Sequence, residues 1–234
     1  MFLLRKLITK KLMRCFIKMN ENRVEKKFVL GKYKEDFLKK ILILNGFTNH
    51  FIPRRISSIY LDTLNFDFAK DNINGVSKRK KIRFRWYNND YSKIYLEEKN
   101  KQNFQVNKNV SKIFANVNEK SIISDLKRYF YSSKNKYNSF NFKFILKINY
   151  LRSYWLSNNK KFRATIDHNL TINPINDLFF DLDLNETILE FKFSQNNEAS
   201  FREFTHNKDL QIRAKKFSKY IQSFFMLESS GLIV

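Results

Sequence analysis

Cationic side chains occupy every second position of residues 79–85, and this is the strongest chemical signal in the sequence. The cations at these alternate positions are Arg79, Lys81, Arg83 and Arg85. A β-strand repeats every two residues, so the four side chains would share one face. Like charges in a row repel one another unless an anion lies along them. The segment therefore predicts a binding face for a long polyanion.

Five further segments show the same alternation of charged or polar and apolar residues. They are Arg23–Lys27, Glu97–Lys101, Tyr150–Tyr154, Arg163–Asp167 and Glu190–Lys192. Each segment alone is typical of an antiparallel sheet that is apolar on its inner face and charged on its outer face. Taken together, the charged faces are unusually rich in Arg and in Glu-x-Lys pairs. A barrel with a polar interior would explain the set, with charged side chains lining a tunnel and apolar ones facing outward onto helices.

Composition narrows the function classes. The 234 residues are enough for one domain with a hydrophobic core, and the formal net charge is +23. Much of the Lys excess fits a solvated surface, but the Arg residues concentrate on the alternating segments, and Arg suits bidentate phosphate binding. Cys15 is the single cysteine, so neither a disulfide framework nor a thiolate metal site is expected, and a reducing cytoplasm fits. Four glycines leave no Walker-type phosphate loop.

Residues 1–21 are set apart as a basic N-terminal extension. Residues 1–19 predict an amphipathic helix whose charges are too frequent for a membrane span. Two interpretations stay open. Either the helix binds an anionic membrane surface, which would place the protein at the inner face of a membrane, or Met19 is the true start of the protein. A secretory cleavage site is not evident.

The remaining sequence predicts an α+β domain dominated by antiparallel strands. Strands are predicted at 22–30, 56–63, 78–87, 93–101, 141–155, 161–168 and 186–194. Helices are predicted at about 32–45, 108–132 and 208–227, with a turn region at 65–75 and a polar loop at 132–139.

Seven short motifs, in order along these elements, resemble the VTC domain. They are Ser58–Thr63, Arg83-x-Arg85-x-Tyr87, Leu96-Glu-x-Lys99, Tyr150-x-Arg152, Arg163-x-Thr165-x-Asp167, Leu189-Glu-x-Lys192 and Phe217–Tyr220. This domain is the catalytic domain of the vacuolar transporter chaperone polyphosphate polymerases, a branch of the triphosphate tunnel metalloenzymes. The resemblance covers residues 22–227 and leaves 228–234 as a C-terminal tail. It implies an antiparallel β-barrel tunnel of the CYTH-like type, with flanking helices, that binds a nucleoside triphosphate and a metal ion.

The resemblance also implies roles for individual residues. The side chains expected to act on the transferred phosphate are Arg83, Arg85, Arg152, Arg163 and Lys219. Those expected to bind the substrate are Lys27, Lys81, Lys99, Tyr150, Lys192 and Lys216, with Lys108 or Lys112 as one further lining cation. Glu190 would coordinate Mn²⁺ or Mg²⁺.

The expected activity is transfer of the γ-phosphate of ATP to a growing inorganic polyphosphate chain. A triphosphate hydrolase and a non-enzymatic binder of polyphosphate or nucleic acid are the alternatives. Hydrolytic tunnel enzymes begin with Glu-x-Glu-x-Lys, whereas Arg23 takes the first of these positions here, which favours gripping phosphate. Nucleic acid is not expected as a partner, because Phe84 and Trp86 would lie on the face opposite Arg83 and Arg85.

Overall fold

A curled antiparallel sheet, shaped as a half-barrel, forms the framework of the protein. The computed structural model describes residues 23–103, 105–113, 117, 119–132, 142–206 and 213–233. The strands are β1 (Arg23–Gly31), β2 (Phe47–Thr63), β3 (Lys78–Tyr87), β4 (Tyr95–Gln102), β5 (Gln105–Lys112), β6 (Phe142–Ser157), β7 (Arg163–Pro174), β8 (Leu182–Asp183) and β9 (Glu186–Ser194). Their spatial order is β1-β9-β7-β6-β2-β3-β4-β5, and β8 pairs with β7. The predicted α+β class with antiparallel strands is confirmed.

Helices pack against this sheet, most of them on its apolar side. They are α1 (Glu35–Leu44), α2 (Asp67–Ile73), α3 (Ile122–Phe130), α4 (Glu198–His206) and α5 (Lys219–Ser229). On one flank α1 and α4 bury Phe28 of β1 and Phe191 of β9. On the other flank α3 packs onto β3, where Phe84 and Trp86 are buried. The apolar positions of these alternating strands therefore face the helices, as the sequence predicts.

Helix α5 departs from this arrangement, because it packs on the concave side of the sheet. Tyr220 of α5 stacks on Tyr60 of β2 with ring centroids 5.1 Å apart. The Tyr220 hydroxyl also donates to the buried carboxylate of Asp62, 2.6 Å away. The predicted interior is thus polar in one part and filled by α5 in another.

The curl of the sheet brings its two ends together. Lys99 of β4 and Glu25 of β1 lie at distant places in the strand order, yet Lys99 Nζ is 3.9 Å from Glu25 Oε2. The segment 213–218 runs beside β1, where the Lys215 amide donates to the Lys27 carbonyl at 2.8 Å. The polar side chains of both ends consequently lie on the same concave side of the curled sheet, which we call the concave face.

Several predicted boundaries are wrong. Residues 105–112 form strand β5, so 108–112 are extended and do not begin the predicted helix at 108–132. Their main chain pairs with β4 along the whole strand while their side chains stay exposed. Among the residues of that region that the structure describes, 122–130 are helical. The predicted turn at 65–75 contains α2, and β2 begins at Phe47, nine residues before its predicted start at 56. Sequence analysis also missed α4.

The last helix begins later than predicted. Ser218 caps α5 by accepting a hydrogen bond from the Ile221 amide, so the helix starts at Lys219 and not near 208. The predicted extension at 1–21 lies outside the described residues, as does most of the loop at 132–139. Within the part of the chain that the structure describes, no helix is long and apolar enough to cross a bilayer.

Candidate active site

Glu97 of β4 holds two of the predicted arginines on the concave face. Arg83 Nε and Nη2 donate to Glu97 Oε2 at 2.8 and 2.5 Å, and Arg85 Nη1 lies 3.6 Å from the same oxygen. Lys108 Nζ lies 3.0 Å from Glu97 Oε1, so Lys108, one of the two alternative lining cations, pairs with this carboxylate. Burial alone would raise the pKa of Glu97, but Arg83, Arg85 and Lys108 hold it well below its usual range. An ionised carboxylate thus fixes three cations.

Asp167 of β7 also holds cations in place, on the other side of the concave face. Arg152 donates to both of its oxygens, at 2.5 and 2.6 Å, and Lys219 of α5 donates to Oδ2. Asp167 is fully buried, which would raise its pKa, but Arg152 and Lys219 lower the value to about 2. The charge of Asp167 therefore orders one cation from the sheet and one from the helix.

Tyr150 lies between these two clusters. Its hydroxyl accepts a hydrogen bond from Arg85 Nη2 at 3.2 Å, and Lys219 Nζ is 4.7 Å from its ring centroid. Burial would raise the pKa of Tyr150, but the positive charges of Arg85, Arg152 and Lys219 bring it below its ordinary value. Arg85, Tyr150, Arg152 and Lys219, each predicted from the sequence, are in this way brought into one network.

Glu190 and Glu25 form a carboxylate pair with Lys192 between them. Lys192 Nζ is 2.6 Å from Glu190 Oε1 and 3.5 Å from Glu25 Oε1. Burial opposes ionisation of Glu190, yet Lys192, Lys27 and Arg152 lower its pKa well below the usual range. Arg163 of β7 pairs in register with Lys192, which places it on the same face. Two ionised carboxylates with a cation between them suit the binding of a positive ion.

Lys81 occupies a place where positive charges accumulate. Its Nζ donates to Ser218 Oγ at 2.7 Å. Burial, followed by repulsion from Lys27, Lys99, Arg83 and Arg79, lowers the pKa of Lys81 to about 7. Burial is also the main cause of the lowered pKa of Lys27, whose Nζ donates to the Phe217 carbonyl at 2.9 Å. An anion bound here would offset the repulsion among these cations, so the electrostatic environment of Lys81 favours anion binding.

Lys216 is placed differently from the other predicted residues. Its side chain is exposed on the segment 213–218, and its charge contributes to a lowered pKa at Lys101 of β4. It lies near the edge of the concave face and does not join the clusters around Glu97, Asp167 or Glu190.

Sequence reasoning assigned no role to Glu25, Glu97, Asp167 or Ser218. One signal was present for Glu97, because Leu96-Glu-Glu-Lys99 repeats the Leu-Glu-x-Lys pattern of Leu189–Lys192. The partners of Asp167 and Ser218 come from distant segments of the chain, so no local sequence pattern predicts these contacts.

The carboxylates of Glu190 and Glu25 are the groups on this face that could hold a divalent ion. Within the described residues, no three His, Cys, Asp or Glu side chains gather as a complete metal site. Mg²⁺ commonly takes one or two carboxylates and completes its shell with waters and substrate phosphates. Glu190 and Glu25 supply such a pair, so they fit an ion that arrives with a phosphate ligand.

The fold and the basic concave face are those of a protein of the triphosphate tunnel type. The family model of the VTC domain matches residues 22–227, and the chain belongs to this family. The predicted resemblance is thereby confirmed. No protein in a search of curated sequences matches the chain.

Solved structures share the fold at low sequence identity. A candidate adenylyl cyclase from Hippeastrum, reported to have a dominant triphosphatase activity, has a TM-score of 0.57 and 14% identity, with 91% of this chain and 97% of that chain covered. A candidate adenylate cyclase from Vibrio parahaemolyticus has a TM-score of 0.52 and 14% identity, over 87% and 98% of the two chains. These neighbours have the triphosphate tunnel, or CYTH-like, fold, whose members bind triphosphates and are generally dependent on divalent metal ions.

Proposed function

We propose that this protein is a metal-dependent polyphosphate polymerase that transfers the γ-phosphate of ATP to the end of a polyphosphate chain. The observation that carries the proposal is the environment of Lys81. Cations from β1, β3 and β4 converge there, and Lys81 donates a hydrogen bond to the uncharged Ser218 hydroxyl. A chain of phosphates would satisfy this charge along its length, whereas a single small anion would satisfy only part of it.

The cations of the site are fixed before substrate binds. Glu97 orients Arg83 and Arg85, and Asp167 orients Arg152 and Lys219. Donors held in place by buried carboxylates need little reorganisation as charge develops on the transferred phosphate. The attacking group would be a terminal phosphate oxygen that is already ionised at neutral pH, so alignment and charge neutralisation suffice and no protein base is required.

Glu190 and Glu25 would hold the divalent ion, Mn²⁺ or Mg²⁺. Such an ion supplies Lewis-acid neutralisation of phosphate oxygens. The role proposed for Lys192 is to occupy the space between the two carboxylates in the absence of the ion and to bind phosphate when the ion takes its place.

A triphosphate hydrolase is the second candidate. The carboxylate pair Glu25 and Glu190 favours this activity, since hydrolytic members of the superfamily also hold their metal with carboxylates, those of the first-strand motif. Against it, Arg23 occupies the first position of the β1 motif, where those enzymes have a third carboxylate.

The deciding experiment is incubation of the purified protein with ATP and Mn²⁺ or Mg²⁺, followed by gel analysis of polyphosphate and by measurement of released orthophosphate. Long chains without stoichiometric orthophosphate support the polymerase. Orthophosphate without chains supports the hydrolase. Binding of ATP or polyphosphate without turnover in either metal would leave only a binder.

We further propose that the reaction takes place in the cytoplasm, with attachment to the inner face of a membrane through residues 1–19. The support is compositional: the lone Cys15 fits a reducing compartment, and the basic, apolar-faced segment fits an anionic surface. Sedimentation of the full chain and of a chain starting at Met19 with anionic vesicles tests the attachment.

A further inference from the structure

One edge of the concave face carries an arginine placed between tyrosine rings. The guanidinium carbon of Arg54, on β2, lies 6.0 Å from the ring centroid of Tyr87 and 5.8 Å from that of Tyr154. Tyr95 adjoins this group, with its ring centroid 6.5 Å from that of Tyr87 and an interplanar angle of 67°. We call Arg54, Tyr87, Tyr95 and Tyr154 the tyrosine rim. Arg54 is exposed and the three tyrosines are half-buried, so planar surfaces are open to solvent.

The tyrosine rim continues directly from the arginines of the proposed phosphate site. Tyr87 follows Arg85 by two residues on β3, and Tyr154 follows Arg152 by two residues on β6. Two residues along a strand return to the same face about 7 Å further on. Arg54 itself pairs in register with Arg152. A ligand with its phosphates at Arg85 and Arg152 would therefore extend onto the tyrosine rim.

The chemistry of the tyrosine rim is that of a stacking platform. Tyrosine faces and guanidinium planes both stack on the π-face of a nucleobase, and such stacking tolerates any base because every base has that face. Phe84 and Trp86, the aromatic residues of β3 that were not expected to stack on bases, are buried on the opposite face. Tyr87, Tyr95 and Tyr154 share the charged face.

We propose that the tyrosine rim binds the base of a nucleoside triphosphate, so that the phosphates enter the concave face past Arg85 and Arg152. The proposal rests on triphosphate binding by the proposed function and adds the orientation of the nucleotide. It also assigns the tyrosine rim as the feature that separates a nucleoside triphosphate from inorganic triphosphate.

The test compares two ligands on matched variants. Binding of a non-hydrolysable ATP analogue and of inorganic triphosphate is measured by calorimetry for the wild type, Arg54→Ala, Tyr154→Leu and Arg55→Ala. Arg55 is the control, because it neighbours Arg54, is equally exposed, carries the same charge and lies on the other face of β2. We expect Arg54→Ala and Tyr154→Leu to weaken the ATP analogue about tenfold. Inorganic triphosphate should change less than threefold in Tyr154→Leu, and Arg55→Ala should resemble the wild type for both ligands.

Equal losses for both ligands in Arg54→Ala and Tyr154→Leu would overturn the proposal, since the tyrosine rim would then act on phosphate alone. Unchanged ATP affinity in both variants would overturn it as well. Adenosine monophosphate separates this proposal from the proposed function. If the wild type binds it and Arg54→Ala weakens that binding, the base site is supported even where inorganic triphosphate does not bind. If a single-stranded oligonucleotide binds more tightly than ATP, and the same variants abolish that binding, the ligand of the tyrosine rim is nucleic acid and the proposal is wrong.

Discussion

Replacement of Lys81 by Met tests whether the concave face stores electrostatic strain that a polyanion relieves. Met retains the apolar stem of Lys and removes its charge. In the ligand-free protein the ammonium of Lys81 is opposed by burial and by neighbouring cations, which lower its pKa from 10.5 to about 7. At roughly 1.4 kcal/mol per pH unit, this pKa shift corresponds to a destabilisation of the folded protein by at most about 5 kcal/mol. Because the side chain keeps some contact with solvent, we expect a destabilisation of roughly 2–4 kcal/mol.

The sign of the pH dependence follows from proton binding. Between pH 7 and 10.5 the unfolded chain keeps the Lys81 proton while the folded protein has lost it, so the free energy of unfolding rises with pH across this window. Below pH 7 both states are protonated and the full destabilisation is present. Lys81→Met should therefore be more stable than the wild type at pH 6, and the difference should shrink toward pH 10.

Urea denaturation of the wild type, Lys81→Met and Lys78→Met at pH 6, 8 and 10 measures this effect. Lys78 is an exposed lysine at the start of the same strand and serves as the control. Inorganic triphosphate should then stabilise the wild type more than Lys81→Met, because the variant lacks the strain to be relieved. A stability difference that does not vary with pH, or one equal to that of Lys78→Met, would refute the electrostatic reasoning.

Four further predictions concern the other charges of the site. Glu190→Gln should still bind ATP but lose metal-dependent turnover, and a fully active variant in the polymerase assay would show that Glu190 is only a counter-charge. Asp167→Asn leaves two partly buried cations, Arg152 and Lys219, without their partner and should lower the free energy of unfolding by about 3 kcal/mol; chemical denaturation checks this, and an unchanged value would contradict the pairing. Arg83→Ala should weaken triphosphate binding by about 1.5–3 kcal/mol in calorimetry while the fold persists; unchanged affinity with a lower melting temperature would assign the arginine to structure. In thermal denaturation, triphosphate and polyphosphate should raise the melting temperature of the wild type more than orthophosphate does at equal ionic strength; equal shifts would indicate general screening.

The alternation of charged and apolar residues predicted the part of the fold that carries the site. Strand β3 spans Lys78–Tyr87 and β9 spans Glu186–Ser194, as two-residue periodicity predicted, because each strand has one buried and one polar face. The same criterion failed for β5, whose side chains are all exposed. Its strand conformation comes from main-chain pairing with β4, and side-chain periodicity cannot report that pairing.

The sequence identified the cationic residues of the candidate site better than the carboxylates that pair with them. The resemblance singled out Arg83, Arg152 and Lys219, which do face the concave side. The carboxylates that fix them, Glu97 and Asp167, were parts of recognised motifs, but their partners depend on strand register and on the position of α5. Such contacts join residues far apart in the chain, so they follow from the fold and not from local spacing.

The pairing of β1 with β9, together with the segment 213–218 beside β1, has a consequence for how the molecule is made. As the chain leaves the ribosome, the edge of β1 has no partner until residues 186–194 have emerged. The Lys219 partner of Asp167 comes later still. Contacts of such large sequence separation are formed late and slowly during folding. A nascent chain would therefore hold a lysine- and arginine-rich, half-assembled sheet until residues 186–194 have paired with β1 and α5 has docked.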